Sequence, residues 1–294
     1  MAEVKHKKIL VTGATGQQGG AAASALLGYG HRIRVMTRDP EKAKELQKPN
    51  VEVVRGDFRD RESLKYALHG MDGAFVMGTP YEEGPEAEVT QGKTMIDACK
   101  EEGIGHVVYS SVSSANKKTG IPHFDSKYEV EKHLKKTGLP FTILRPVWFM
   151  ENFASAWYRP SVEKGFLSTP LHPDRPIQMV SVADIGLIVG DAFTNPSLYT
   201  GQEIDIAADE MHMGNIVKEI SRVLYRTIRY DHIPESRAEE TVGPDWARMF
   251  QWFNEHGYDV DIGGTRNRFE YYGVPLDSFR QYLWKTRLGI EKAA

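Results

Sequence analysis

Cysteine is almost missing from this chain: Cys99 stands alone among 294 residues. A single thiol excludes an intramolecular disulfide, and with it the small stapled folds of secreted proteins; it fits a reducing compartment. No apolar run approaches the roughly 20 residues that span a bilayer, and the first residues lack the apolar core of a signal peptide. The expectation is a cytoplasmic chain that does not enter a membrane. Charge of one sign is also lacking. Lys and Arg number 37 and Asp and Glu 40, a net −3, so no general attraction to nucleic acid is expected. The ten histidines show no zinc-like spacing with cysteine or acidic partners, so no metal site is expected. No serine sits in the G-x-S-x-G pattern of a nucleophile elbow. Low-complexity tracts and internal repeats are absent too. Cys99 falls in a helical pattern over 91–102 and reads as packing.

What is present begins at the start. Lys7-Lys8-Ile9-Leu10-Val11-Thr12 is an apolar strand, and Gly13-Ala14-Thr15-Gly16-Gln17-Gln18-Gly19-Gly20 follows it. Strand, glycine turn and helix come in the order a dinucleotide site needs. Gly13 turns the chain sharply, Gly16 admits a close-lying pyrophosphate, and Gly19 with Gly20 lets the helix pack tightly on the strand. The helix, over about 17–29, aims its free N–H groups and dipole, from Thr15, Gln17 and Gln18 onward, at the phosphates. The G-x-x-G-x-x-G spacing departs from the commoner G-x-G-x-x-G. In T-G-A-T-G-x-x-G-G the chain resembles the extended and atypical short-chain dehydrogenase/reductases.

The next strand, His31-Arg32-Ile33-Arg34-Val35-Met36-Thr37, lacks at its end the acidic residue with which an NAD site binds the ribose 2′-hydroxyl. Arg38 follows instead, and Lys42 lies one helical turn on; a guanidinium suits a 2′-phosphate. Asp39 precedes Pro40 and reads as a helix N-cap with proline at the first helical position. NADP(H) is therefore expected over NAD(H), the alternative being that Arg38 is a solvated surface charge. Gly56-Asp57-Phe58 closes the third strand, and the superfamily resemblance implies that Asp57, with Phe58, contacts adenine; a turn role is equally open. Gly78-Thr79-Pro80 closes the fourth strand and is expected beneath the cofactor.

Strands are expected near 7–12, 32–37, 51–55, 73–77, 106–110 and 140–145, with helices between them. That alternation predicts an α/β fold with a doubly wound, mostly parallel sheet. The acidic segment 81–88 reads as a loop with its charge facing solvent. After Pro146 the rhythm changes, with strands at 178–180 and 202–207, an extended stretch at 227–232, and helices at 213–224, 235–256 and 276–286. The division expected is a nucleotide-binding domain over 1–150 and a smaller α/β lobe over 151–294 that walls a substrate cleft, interleaved with the main sheet.

Ligands of open parallel sheets bind beyond the carboxyl ends of the strands. Tyr109-Ser110-Ser111-Val112, His123-Phe124-Asp125-Ser126-Lys127 and Pro146-Val147-Trp148-Phe149-Met150-Glu151-Asn152 are expected to meet there, with Ser110, Pro146, Phe149 and Asn152 facing the cofactor. Ser110 and Ser111 are open to two readings, as carbonyl-binding or as turn hydroxyls. Ser126-Lys127-Tyr128-Glu129 fits a capping box, which starts a helix at Ser126 and leaves His123 in the loop before it. Aromatic residues crowd 148–158 and 246–253; helical spacing favours a core, and a cleft they partly line would favour a flat aromatic or quinonoid substrate.

Together these pieces resemble the NmrA-like family of atypical short-chain dehydrogenase/reductases: the glycine turn, Thr37-Arg38-Asp39-Pro40, Gly56-Asp57, His123 to Lys127 with Glu129-Val130-Glu131, and Glu151-Asn152 over the first half. Val180 to Gly186 and Tyr199-Thr200-Gly201-Gln202 extend the match more loosely. The resemblance implies a Rossmann domain with a small C-terminal lobe, and NADP(H) held with Arg38 and Lys42 at the 2′-phosphate. Typical short-chain reductases carry Tyr-x-x-x-Lys; this chain matches the lysine with Lys127 but has His123 at the tyrosine position. A protonated imidazole can donate a proton, so His123 and Lys127 are the catalytic candidates. The family includes reductases of quinones, dyes and phenolics, and nucleotide-sensing regulators that act through protein partners. Two functions are thus expected in order: an NADPH-dependent reductase passing hydride to an electron-poor aromatic, quinone, enone or carbonyl substrate, or a regulator that binds NADP(H) without turnover. A monomer or homodimer fits either.

Overall fold

The computed structural model describes residues 6–290; residues 1–5, part of the start read above for a leader, lie outside it, as do 291–294. Six parallel strands form the frame: β1 (Lys8–Thr12), β2 (Arg32–Thr37), β3 (Val51–Arg55), β4 (Gly73–Val76), β5 (Val107–Ser110) and β6 (Phe141–Pro146). Their order is β3-β2-β1-β4-β5-β6, with a seventh strand beside β6. The chain builds outward from β1 in one direction, then returns to build outward in the other. This reversal makes a crevice beyond the carboxyl ends of β1 and β4. The strands read as near-continuous apolar runs because both faces are covered: Ile9, Leu10, Val11, Phe75 and Val107 are fully buried.

Between the strands run α1 (Gln17–Gly28), α2 (Arg61–Leu68), α3 (Pro85–Glu101) and α4 (Pro122–Thr137). Two of these depart from the sequence expectation. The helix of 91–102 begins at Pro85, so part of the segment read as an acidic loop is helical. The helix expected from Ser126 begins at Pro122, with Ile121 as N-cap. Proline at the first helical position supplies its start, and the Ser126 hydroxyl, four residues inside, bonds elsewhere. Asp39 does cap as expected, its side chain accepting from the Glu41 N–H at 3.2 Å, although the turn it caps is a 3₁₀ helix over Pro40–Leu46.

Two compact units divide the chain: one runs up to Arg145 and takes in Val182–Ile204, and the other comprises Pro146–Ser181 and the chain from Asp205 onward. In the first, a later helix, Val182–Thr194, lies against α1 so closely that a Cβ on Gly186 would stand 2.6 Å from the Ala21 carbonyl oxygen. Arg145 is buried, and its guanidinium grips Glu131 through Nε and Nη2 at 2.9 and 2.5 Å. His106, also buried, has a determined tautomer. The Thr142 hydroxyl donates to the Tyr199 carbonyl at 2.9 Å, so it must accept from His106 Nε2 at 2.8 Å. Nδ1 then keeps its lone pair, with no hydrogen-bond partner. Burial lowers this imidazole from 6.5 to about 4, with Lys7 adding to the effect.

The second unit holds a three-stranded sheet in which Trp148–Phe149 runs parallel, and Asp209–His212 antiparallel, to Pro176–Val180. Phe166–Thr169 pairs separately with Arg229–His232. The helical stretch expected over 235–256 is two helices, Glu235–Val242 and Pro244–Glu255, broken where Gly243 takes φ +80°. Trp148, Phe153, Tyr158 and Phe250 are buried against one another, with ring centroids 5.8 to 6.5 Å apart. Most of these aromatics are therefore core of this unit; Trp157 is exposed.

Candidate functional site

In the first unit a cavity of about 310 Å³ opens at the carboxyl ends of β1 to β4. A second, of about 370 Å³, lies at the opposite edge, around Lys8, Arg32 and Val51 where the strands begin. Only the former collects the motif residues: Gly13, Thr15, Gly16, Arg38, Asp57, Phe58, Gly78 and Thr79 all line it.

The turn is built by backbone proximity. Gly13 sits at φ +66°, and its carbonyl accepts from the Gly16 N–H at 2.9 Å. A Cβ on Gly19 would stand 2.2 Å from the Gly13 carbonyl group, so the first turn of α1 lies directly on the glycine loop. Gly16 is the N-cap of α1 and provides no side-chain cap. The first-turn N–H groups of a helix lack internal partners, and the N-cap of this one, Gly16, lines the cavity at the positive end of the helix dipole. The Thr12 hydroxyl donates to the Met77 carbonyl at 3.2 Å and accepts from the Met77 N–H at 2.9 Å, clamping the ends of β1 and β4 together. Gln18 reaches from α1 to the end of β5, where it accepts from the Ser110 hydroxyl at 2.5 Å. Ser110 is thereby engaged, whereas the neighbouring Ser111 hydroxyl is buried with no partner.

The far end of the cavity is lined with charge. Arg38 pairs with Glu82 through both terminal nitrogens, at 2.6 and 2.8 Å, which raises the guanidinium further above its ordinary range. Arg59 holds Asp57 at 2.6 Å and Glu83 at 2.7 Å. The Arg59 hydrogen bond pulls the Asp57 carboxyl down to about 2. Gln91 of α3 donates to the other Glu83 oxygen at 2.7 Å. Lys42 stays outside, 82% exposed and 3.8 Å from Asp39. The solvent-facing acidic loop expected over 81–88 holds in part, since Glu82, Glu83 and Glu86 are exposed. Glu82 and Glu83 turn onto arginines of the cavity, and Glu88, in α3, is buried.

Glu88 leads to the catalytic candidates. Its carboxylate takes Lys127 Nζ at 2.5 Å on one oxygen and the Ser126 hydroxyl on the other. The side chains are 1% and 13% exposed for Glu88 and Lys127. Lys127 Nζ also donates to the Gly78 carbonyl at 3.2 Å, which brings it to the cavity wall. Because α4 starts at Pro122, His123 is inside the helix, one turn before Lys127 and on the same face. That corrects the loop placement. The His123 ring is buried, edge-on to Phe124 at 4.8 Å and 6.0 Å from Tyr81. Pro80 is buried, and Gln17 is exposed at the helix start. Pro146, Phe149 and Asn152 belong to the second unit: Pro146 ends β6, Phe149 pairs with Val180, and Asn152 lies in the 3₁₀ helix Met150–Ala154. Sequence reasoning missed Thr12, Arg59, Glu82, Glu83, Glu88 and Gln91. The excess of acids over 82–88 is the one local signal, and such a run by itself suggests solvation.

A 3-2-1-4-5-6 sheet with a glycine turn and a cavity at its point of reversal defines the Rossmann class of doubly wound α/β proteins. The chain belongs to the NmrA-like family, whose profile matches residues 5–283. It is 32% identical to the NmrA-like family domain-containing oxidoreductase malD of Malbranchea aurantiaca, over 76% of this chain and 74% of that protein. Among solved structures, triphenylmethane reductase of Citrobacter sp., complexed with NADP(H), superposes with a TM-score of 0.81 at 19% identity, over 95% of this chain and 99% of that one. NmrA, a negative transcriptional regulator in complex with NADP, superposes at 0.77 and 22% identity, covering 95% of each. No helix among the described residues is long and apolar enough to cross a membrane.

Proposed function

We propose that this chain is an NADP(H)-dependent reductase of a small, electron-poor substrate such as a quinone, enone or aryl carbonyl. The observation that carries it is the cavity of β1 to β4, where an uncapped helix start and Arg38 lie at one site and Lys127 reaches the wall at Gly78. The residues present fit a phosphorylated dinucleotide. Gly13, at φ +66° and with no room for a Cβ beside Met77, turns the chain at the cavity, and the amides from Thr15 to Gln18 suit a pyrophosphate. Arg38, with Lys42 adding charge at longer range, suits a 2′-phosphate. Asp57 and Phe58 suit an adenine edge and face, Gly78, Thr79 and Pro80 form the floor, and Lys127 suits the ribose hydroxyls.

When bound, the nucleotide supplies hydride to an electron-poor carbon of the substrate. The chain supplies the rest. The turn and Lys127 orient the donor, and orientation accounts for a large share of the barrier in such transfers. His123, on the Lys127 face of α4, or a water molecule gives the proton that balances the hydride. The Ser111 hydroxyl, buried just past β5 without a partner, would donate to a substrate oxygen brought to it.

The test is a titration with NADPH, NADP⁺, NADH and NAD⁺, followed by NADPH absorbance against a panel of quinones, enones, aryl carbonyls and dyes. Turnover that is lost in Lys127→Ala, with the circular dichroism spectrum intact, is the expected result. Tight NADPH binding without oxidation across the panel overturns the reductase in favour of the nucleotide-sensing regulator.

A further inference from the structure

The guanidinium groups of the cavity are already met by carboxylates. The lining carries two guanidinium groups, Arg38 and Arg59, against three carboxylates, Asp57, Glu82 and Glu83. Arg59 is held by Asp57 and Glu83, and Glu83 is held from its other side by Gln91. Glu82 is held differently. Its hydrogen bonds go to Arg38, through a two-point carboxylate–guanidinium pair of the geometry a phosphate would itself adopt. Both side chains are about half exposed, at 55% and 50%, so parting them leaves neither charge buried. The residues around Glu82 form a short turn closed by the Gly84 N–H on the Pro80 carbonyl at 2.8 Å. The turn is anchored by buried Pro80 and ends at Gly84, which has open space around it at φ +89°.

We infer that Glu82 is a specificity-determining residue of this cavity: in the ligand-free protein it occupies Arg38 as an internal stand-in for the 2′-phosphate, and a phosphorylated nucleotide must displace it. This inference rests on the reading of the cavity as an NADP(H) site. Its consequence runs against intuition, because an acidic residue beside the phosphate-binding arginine lowers the preference for NADPH that Arg38 confers. NADH, which brings no 2′-phosphate, leaves the pair in place. Binding NADPH exchanges one anion on Arg38 for another, so the net preference is the difference between the phosphate and Glu82 as ligands of the same guanidinium.

The experiment is equilibrium titration of the full chain with NADPH and with NADH, in the wild type, Glu82→Gln, Arg38→Ala and the double variant. Glu82→Gln is expected to tighten NADPH about three- to ten-fold, the scale of one exposed two-point ion pair together with relief of repulsion, while NADH binding stays within two-fold, about the scatter expected of a surface substitution. In the Arg38→Ala background the same change is expected to leave the NADPH-to-NADH ratio unaltered, since the competition acts through Arg38. An unchanged ratio in Glu82→Gln, or weaker NADPH binding, overturns the inference while leaving the site reading standing. An equal gain with and without Arg38 also overturns it, because the effect is then one of general field. If the wild type binds neither nucleotide, the site reading itself falls and the inference with it.

Discussion

The buried pair of Lys127 and Glu88 permits the sharpest structural prediction. Removing Lys127 as Lys127→Met leaves a carboxylate that is 1% exposed with only the Ser126 hydroxyl for company. Removing the charge of Glu88 as Glu88→Gln leaves a 13% exposed ammonium with the Gly78 carbonyl. Orphaning one member of a buried pair costs about 3–5 kcal/mol, whereas replacing both by neutral groups of similar size is often nearly neutral. Lys127→Met belongs at the upper part of that range, about 4 kcal/mol, because its partner has no route to water. Glu88→Gln belongs at about 3 kcal/mol, because the ammonium can still reach solvent. The double variant is expected within about 2 kcal/mol of the wild type, a coupling of at least about 5 kcal/mol. Urea unfolding followed by circular dichroism measures all four proteins. Single variants costing under about 1 kcal/mol, with an additive double variant, would refute a tightly coupled buried pair.

Three further outcomes follow from packing and burial. Gly19→Ala places a Cβ 2.2 Å from the Gly13 carbonyl and is expected to destabilise by about 3 kcal/mol. Gly28→Ala, with nothing within 4 Å, is expected to be neutral or to stabilise by up to about 1 kcal/mol; equal melting-temperature losses in both would contradict the close approach of turn and helix. His106 is neutral in the fold because burial lowers it from 6.5 to about 4. The unfolded chain therefore binds the proton first, so its contribution is complete above pH 6.5 and is lost as pH falls toward 4, by up to about 3 kcal/mol. Stability measured across that interval should fall less steeply in His106→Gln than in the wild type, and parallel curves would count against a depressed imidazole. Cys99 is fully buried and its thiol is pushed up by desolvation, so a thiol reagent should label it only at the rate at which the protein unfolds. Rapid labelling of the native protein would show that α3 opens locally.

What the sequence determined by itself was most of what is governed by neighbours along the chain. The six parallel strands appear within a residue or two of their apolar runs, because burial on both faces of a parallel sheet requires such runs. The turn of Gly13 to Gly19 was legible because its first and last glycines answer local demands, a positive φ at Gly13 and a helix lying on its own loop at Gly19. The start of α4 was misplaced because Ser126 to Glu129 satisfies a capping box on paper. Pro122 begins the helix a turn earlier, and the Ser126 hydroxyl goes to Glu88 instead.

Tertiary structure alone decided which charges meet. Arg38 and Glu82 are 44 residues apart, Glu88 and Lys127 39, and Gln18 and Ser110 92. None of these pairs has a sequence signal, because their distances are set by the order of strands in the sheet and by the crossing of the helices. A run of acids looks the same on paper whether it faces water or arginine. Only the packing of α3 against α4, and of the turn before it over the ends of the strands, distinguishes the carboxylates that face arginines and lysine from those that face solvent.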